Sequence, residues 1–537
     1  MPAASLVIVN ARVRTLDPER PAATAVAVAG GTIVAVGDDH QIRAFADGGT
    51  EVVDGAGMAV VPGLVDTHQH PIDGALTHSG LDLSDVHTVP QLQEALRTAR
   101  AALRNGEWLR GHSLAYDVFA EQSASADLIE PAVDGAPALL TFFDQHTALA
   151  SQAALAAAAI TGPRAFDDSS EIVCLDGVPT GELREVSAWA LVEAAAPERS
   201  PAERRALVAR SLREQNAAGL TAVHAMDGSP QALDDYRALE DSGELTVRVR
   251  VPFNIDPGTP VPEYPALVAE RNRRGRLWRA GAIKFFLDGV VESGTAWLFE
   301  PDASGGGTAP FWPDLDAYRE AVRVFDAAGF QCVTHAIGDR AVHETLNAYR
   351  DAAAENGPRD RRHRIEHLET LRDDDLNRLV AEHVIAGQQP VHMQWISADG
   401  RDPWSRALDR DRAGRGFRLA DIRRSGAVLA LGSDWPVAAY DPRLGMAWGR
   451  LRRPPHRHRG ARFNPGQELT GLEALEGYTT QAALAAGEEA VAGRIRVGYR
   501  ADLTAFASDP VACDPDELPE LPVTLTVVDG AIVHRAG

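Results

Sequence analysis

The stretch VVPGLVDTHQHP, residues 60–71, decides how the rest of the chain is understood. It begins as a short apolar run broken by Pro62-Gly63 and closes on an aspartate followed by two histidines one residue apart. An apolar run of this length suits a strand buried on both faces of a parallel sheet. Side chains along a strand alternate between faces, so His68 and His70 share one side and Gln69 takes the other. Two imidazoles on one side can chelate one cation. A bare pair of this kind also occurs in ordinary polar loops, and the rest of the chain must discriminate.

Working outward, apolar β-type segments recur at LTAVHAM (220–226), LTVRVRVPF (245–253), AIKFFLD (282–288), QCVTHAI (331–337), HRIEHLE (363–369), VIAGQQPV (384–391) and AVLALGSD (427–434). With the opening strand they make eight. Helical patterns such as PAERRALVARSLREQNAAG and LDAYREAVRVFDAAG lie between them, each closing on a glycine stop signal. Alternation of this kind predicts an α/β fold, a (β/α)₈ TIM barrel over residues 61–74 and 206–485. About 150 residues separate the first two strands, far beyond an ordinary connection, so residues 75–205 are expected to form an inserted α/β subdomain. Its elements include a strand in PALLTFF (137–143) and a helix in SQAALAAAA (151–159), and Asp117 and His146 are its weak candidates for reaching the barrel mouth. Residues 1–60 read as short hairpin strands too thin to bury a core, and residues 486–537 supply three more strands with an Asp529-Gly530 turn. The two ends are expected to pair into one small β-sandwich.

Composition narrows the class. The 537 residues are 45% hydrophobic and 24% charged, as in a soluble globular protein. A net charge of −23 disfavours nucleic acid or an anionic membrane surface as partner but does not identify a substrate; a small-molecule substrate and a homodimer are the partners expected. The N-terminus has no basic-then-apolar leader and no run approaches the ~18 residues of a spanning helix, so a cytoplasmic location is expected. Three scattered cysteines, Cys174, Cys332 and Cys513, suit a reducing compartment. Of 53 basic residues Lys284 alone is lysine. Arginine stays charged in a protein, whereas a buried lysine can become a neutral, nucleophilic amine. A leftover lysine is the plainer alternative.

On the expected barrel the metal-competent side chains fall at or near the C-terminal strand ends, the catalytic face of this fold. His68 and His70 end the first strand, Lys284 lies in the fourth, His335 ends the fifth, His367 the sixth and Asp434 the eighth. This set resembles the amidohydrolase superfamily over most of the chain. VDTHQHP is similar to its first-strand metal motif, and THAIGDRAV, RIEHLE and LGSDWPV resemble motifs of the branch called amidohydrolase family 3, which includes N-substituted formamide deformylases. GYRADLTAFASDP is similar to that family's closing β-sandwich. The resemblance implies that His68 and His70 bind one metal and His335 and His367 another. Lys284, carbamylated by CO₂, would bridge both, and Asp434 would bind the first metal and take the proton of the attacking water.

Charge balance supports the carbamate. Two Zn²⁺ ions with four neutral imidazoles and Asp434 would retain an excess positive charge that a carbamate and a hydroxide reduce, whereas an ammonium at Lys284 would increase it. Zinc suits the imidazole and carboxylate donors; Mn, Fe or Ni remain open, and an unmodified Lys284 would leave a one-metal site. The chemistry expected is hydrolysis of a non-peptide C–N bond, in an amide, formamide or cyclic amide, of a small apolar substrate. An esterase or lactonase, a lyase or decarboxylase on the same scaffold, and a non-catalytic small-molecule binding protein are the alternatives. His224, Gln389 and His392 are substrate-binding candidates, with hydrogen-bonded loop residues as the plainer alternative. Trp297 and Trp435, with Trp312, Trp395, Trp404 and Trp448, could line an apolar pocket or simply pack long loops. Gly305-Gly306-Gly307 reads as a lid hinge or a solvated loop, and the basic run 450–462 as a solvated loop or an anion site.

Overall fold

The computed structural model describes residues 4–104, 106–119, 122–143, 147–166, 170–458 and 460–537. Eight parallel strands form one sheet in chain order: β1 (Leu64–Gln69), β2 (Leu220–Ala225), β3 (Arg248–Asn254), β4 (Trp278–Phe286), β5 (Gln331–Ala336), β6 (Arg364–His367), β7 (Ile385–Gln388) and β8 (Leu429–Leu431). Register places Lys284 opposite Val333 and His335 opposite Glu366. The sheet closes just beyond β1 and β8, where the Asp434 amide donates to the His68 carbonyl at 2.7 Å and the His70 amide to the Trp435 carbonyl at 2.7 Å. The (β/α)₈ barrel expected from the alternation is present, and its seam joins the two strand ends that carry His68, His70 and Asp434.

The crossover helices carry their boundaries in local sequence. Ser229 caps the helix Pro230–Asp241 by accepting from the Ala232 amide, with proline in the first turn. Asp314 does the same for Leu315–Ala327, and Gly329, at φ +87°, turns the chain back towards β5. Each such cap contributes about 1 kcal/mol. Outward-facing residues of β4 and β5 meet these helices: the Thr334 hydroxyl lies 2.9 Å from that of Tyr318 and 2.8 Å from that of Tyr349, and Phe285 packs edge-on against Tyr318. Lys284 and His335, next in the alternation, therefore face the barrel interior.

Two smaller sheets come from the chain ends. One has four N-terminal strands, in the order Thr32–Gly37, Ala25–Ala29, Leu6–Val9 and Glu51–Asp54. In the other, Leu503–Phe506, Val523–Val528 and Ala531–Arg535 join Arg12–Arg14 and Ala22–Ala23 through Ala59–Pro62. Their apolar faces share one core, in which Leu6, Ile8 and Val26 meet Leu503 and Val527. Asp529 and Gly530 both have positive φ, 52° and 78°, as a tight hairpin turn of the I′ type requires.

Residues Ile72–Val208 form a separate compact unit. It contains a six-stranded sheet that includes Leu109–Leu114 and Ala138–Phe142, with Val89–Ala102 and Ala126–Val133 packed around Leu92, Leu96, Ile129 and Leu140. Asp117 is exposed within it, its carboxylate 3.9 Å from His87, and His146 lies outside the described residues. Among the described residues no helix is long and apolar enough to cross a membrane.

Candidate metal centre

Two clusters of ligand-competent atoms share Asp434 at the C-terminal ends of the barrel strands. In the first, atoms of His68, His70 and Asp434 lie within 4.8 Å of one another; in the second, so do atoms of His367, His392 and Asp434. The Nε2 atoms of His68 and His70 approach Asp434 Oδ1 at 3.2 and 3.3 Å, while His392 Nε2 is 3.5 Å from Oδ2. His335 stands beside His367 with ring centres 4.3 Å apart. Strict alternation along β6 would turn His367 away from Arg364 and Glu366, towards the helices. Its backbone instead adopts φ +75°, followed by +43° at Leu368, and Asp434 sits at φ +63°. Left-handed backbone at non-glycine residues costs about 1–3 kcal/mol each and gathers at functional sites.

Glu366 determines how His68 can act. Its Oε2 is 2.7 Å from His68 Nδ1, a contact that is favourable only with a proton on that nitrogen. A neutral His68 then presents a bare lone pair on Nε2 towards the Asp434 carboxylate, and two acceptors at that separation repel unless a cation or a proton lies between them. The donors, imidazole nitrogen and carboxylate oxygen, are those that divalent zinc prefers, so the residues fit a metal. Glu366 itself is fully buried. Burial opposes its ionisation, but Arg364 and His68 outweigh that and hold its carboxyl at about 2. Arg364 pairs with Glu366 Oε1 at 2.5 Å and donates to the Thr67 carbonyl at 2.8 Å, tying the carboxylate to β1. Gly387 on β7 leaves room for it, since a Cβ there would sit 2.2 Å from Glu366 Oε2.

Lys284 is also fully buried, and its Nζ has no hydrogen-bond partner among the described residues. Burial lowers its pKa to about 8 against the opposing pull of Glu366 and Asp434. Burial, with Lys284 as neighbour, brings His335 down to about 3. His335 Nε2 donates to the Gly289 carbonyl at 3.2 Å, which leaves Nδ1 as the free lone pair. Two aspartates brace the backbone around these residues. Asp66 accepts from the amides of His68 and Ser433 and from the Ser433 hydroxyl, and Asp288 accepts from the amides of Trp297, Ile337 and Gly338. Burial raises both carboxyls to about 7 despite these bonds.

The substrate candidates separate. His392, expected only as a substrate contact, stands at ligand distance from Asp434, with Glu369 3.6 Å from its other nitrogen. Gln389 is buried, and neither of its amide atoms has a hydrogen-bond partner among the described residues. His224 lies inside the barrel, where its Nδ1 accepts from Arg364 at 2.9 Å. Trp297, Trp312, Trp404, Trp435 and Trp448 are buried, and Trp395, 5.2 Å from the His392 ring, is half-buried. Trp404 packs against Phe417 and Phe463 and donates to Glu369, so it holds a loop together. The triple glycine is stapled through the Gly307 amide to Gly294 and the Gly306 amide to Asp302. In the basic run Arg452 is fully buried against backbone carbonyls and Arg453 forms a buried pair with Asp516, because both charges found internal partners that a local sequence pattern does not show.

Sequence reasoning missed Glu366, Arg364, Glu369, Asp66 and Asp288. Glu366 adjoins His367 within RIEHLE, and its two-residue offset from Arg364 puts both on one strand face, which was the available signal.

A sequence profile described as the Amidohydrolase family matches residues 51–534. A protein of Arabidopsis thaliana named LONG AFTER FAR-RED 3 is 29% identical over 94% of this chain and 88% of its own length. The N-substituted formamide deformylase of Arthrobacter pascens is 27% identical over 99% of this chain and 98% of its own. A solved structure titled as an uncharacterised metal-dependent hydrolase of Pyrococcus horikoshii superposes with a TM-score of 0.77, covering 95% of this chain and 99% of that one at 20% identity, a likeness of fold.

Proposed function

Because the chain belongs to the amidohydrolase family, matched over residues 51–534, we propose that this hydrolase cleaves a non-peptide C–N bond, in an amide, formamide or cyclic amide, of a small apolar substrate. The observation that carries the proposal is the convergence of His68, His70 and His392 on the two oxygens of Asp434, with the tautomer of His68 set by Glu366. The formamide deformylase of Arthrobacter pascens, related over nearly the whole chain, supports the type of bond.

His68, His70 and Asp434 would hold one divalent ion. His367 would hold a second with His335 or His392, and Lys284, carbamylated, would lie between them. Zinc is the ion these donors favour. A divalent metal there supplies Lewis acidity, lowering the pKa of water towards about 7 and polarising a carbonyl. Asp434 accepts a proton from the attacking water on a carboxylate oxygen and returns it to the leaving nitrogen. Glu366 and Arg364 keep the His68 lone pair aimed while this happens. Gln389, buried and without a hydrogen-bond partner among the described residues, offers an amide to a substrate oxygen. A buried amine with no acceptor among the described residues is costly, which supports a modified Lys284 over a free one. The three cysteines are free, which supports a reducing, cytoplasmic setting.

The test is metal analysis of the purified protein joined to a panel of N-substituted formamides, amides and lactams, read by amine release. Two bound metals and amine release that stops on chelation are expected, and Lys284→Arg should retain one metal at most. Full activity with two metals in that variant refutes the bridging lysine. Failure of every C–N substrate, with turnover of esters or release of CO₂ instead, refutes the bond assignment.

A further inference from the structure

At the foot of the barrel, opposite the metal centre, residues of β1 and β2 leave a cavity of about 40 Å³ against the helix that ends at Ala486 and the segment 488–502 that follows it. Its lining includes Thr221, His224, Arg248, Arg494 and Arg500. Two carboxylates, Glu488 and Asp502, also line it, and both are taken. Arg248 pairs with Asp502 at 2.6 Å and with Asp529 at 2.7 Å; Arg500 and Arg279 reach Glu488 at 2.9 and 3.2 Å. Among the described residues Arg494 and Arg250 donate hydrogen bonds to carbonyls, those of Leu16 and Ala486, with Glu488 within electrostatic reach of Arg250, and the Arg250 Nε is enclosed with no hydrogen bond. Arg279 donates to the same Ala486 carbonyl at 2.7 Å, so two guanidinium groups meet at one neutral oxygen. Three arginines, Arg248, Arg494 and Arg500, thus line the cavity against two carboxylates, Glu488 and Asp502, which leaves one positive charge in excess in the lining.

His224 gives the cavity a directed donor. Arg364 carries only N–H groups, so the Nδ1 it touches at 2.9 Å must be the acceptor, and the proton of the neutral ring resides on Nε2. The ring is 5% exposed and lines the cavity. Waters, needing ~10–15 Å³ each, could fill the space and satisfy the donors. They would leave the one excess charge of the lining without a counter-ion.

We propose that this cavity binds a small monovalent anion, chloride in the cell, held by the His224 N–H and the surrounding guanidinium groups. The site is separate from the metal centre and independent of the reaction assigned to it. Through Arg364 it adjoins Glu366 and hence His68.

Crystals of the metal-loaded protein grown in bromide, measured at the bromine absorption edge, should show an anomalous peak in this cavity. At constant ionic strength, replacing gluconate by chloride or bromide should raise Tm by about 1–2 °C and saturate, and Arg494→Gln should abolish the rise. An empty or water-filled cavity in the bromide crystals overturns the proposal, whatever the fate of the variant. A peak without a saturable, halide-specific rise overturns it too, marking binding at crystal concentration only.

Discussion

His68 is held from both sides, by a carboxylate that fixes its proton and by a carboxylate that faces its lone pair, and the two contacts are separately testable. Glu366→Gln keeps the shape but places an uncharged amide against Nδ1 that can equally donate, which frees the tautomer. Metal affinity, read by competition with a chelator, should fall 10–100-fold with the barrel intact; an unchanged Kd would remove Glu366 from the control of His68. Asp434→Asn should bind substrate yet lose at least about 100-fold in kcat, since an amide cannot take the proton. Near-normal kcat would free Asp434 of that role. That His68, His70, His335, His367, the lone lysine and Asp434 gather at one end of the barrel was legible because strand ends in this fold share one face. Glu366 was not, because its partner is a through-space neighbour on β1, and the left-handed turn at His367 overrides the alternation that a reader of the sequence would apply.

At the scale of elements, β7 acts through what it lacks. Gly387→Ala inserts a methyl group at 2.2 Å from Glu366 Oε2, and the carboxylate must shift. Metal affinity should drop several-fold although no ligand is changed, and wild-type affinity in that variant would show that Glu366 has slack. The loop after the helix Pro442–Leu451 offers a pH test. Hydrogen bonds from Arg453 hold the buried Asp516 carboxyl at about 2, below its usual 3.8. A depressed carboxyl stabilises the fold above the pKa of the unfolded chain and loses that contribution as pH falls through the folded value. Asp516→Asn should therefore lower Tm at pH 5–7, with the gap to the wild type closing between about pH 4 and 2; a gap independent of pH would count against the ion pair. The strands and helices were readable from periodicity and caps. The burial of Arg452 and Arg453 was not, for their partners at Phe417 and Asp516 lie on other segments.

For the whole molecule, the barrel followed from eight apolar segments separated by helical patterns, and the terminal sandwich from strands too sparse at either end to fold alone. Which N-terminal strands would pair with the C-terminal ones was hidden, since register between distant segments is set by the assembled core, not by local pattern. The seam between β1 and β8 has a further meaning. Its amides at His70 and Asp434 close the sheet, and the side chains of the same two residues meet at 3.3 Å. Stripping the metal should speed hydrogen exchange at these two amides while the β4–β5 ladder stays protected; equal protection with and without metal would show that the seam closes unaided. If it does not, the ion works as a buckle as well as a reagent. Its last hole is just past the last strand of the barrel, so no nascent barrel can be fastened until Asp434 has been made, and loading follows the synthesis of all eight strands.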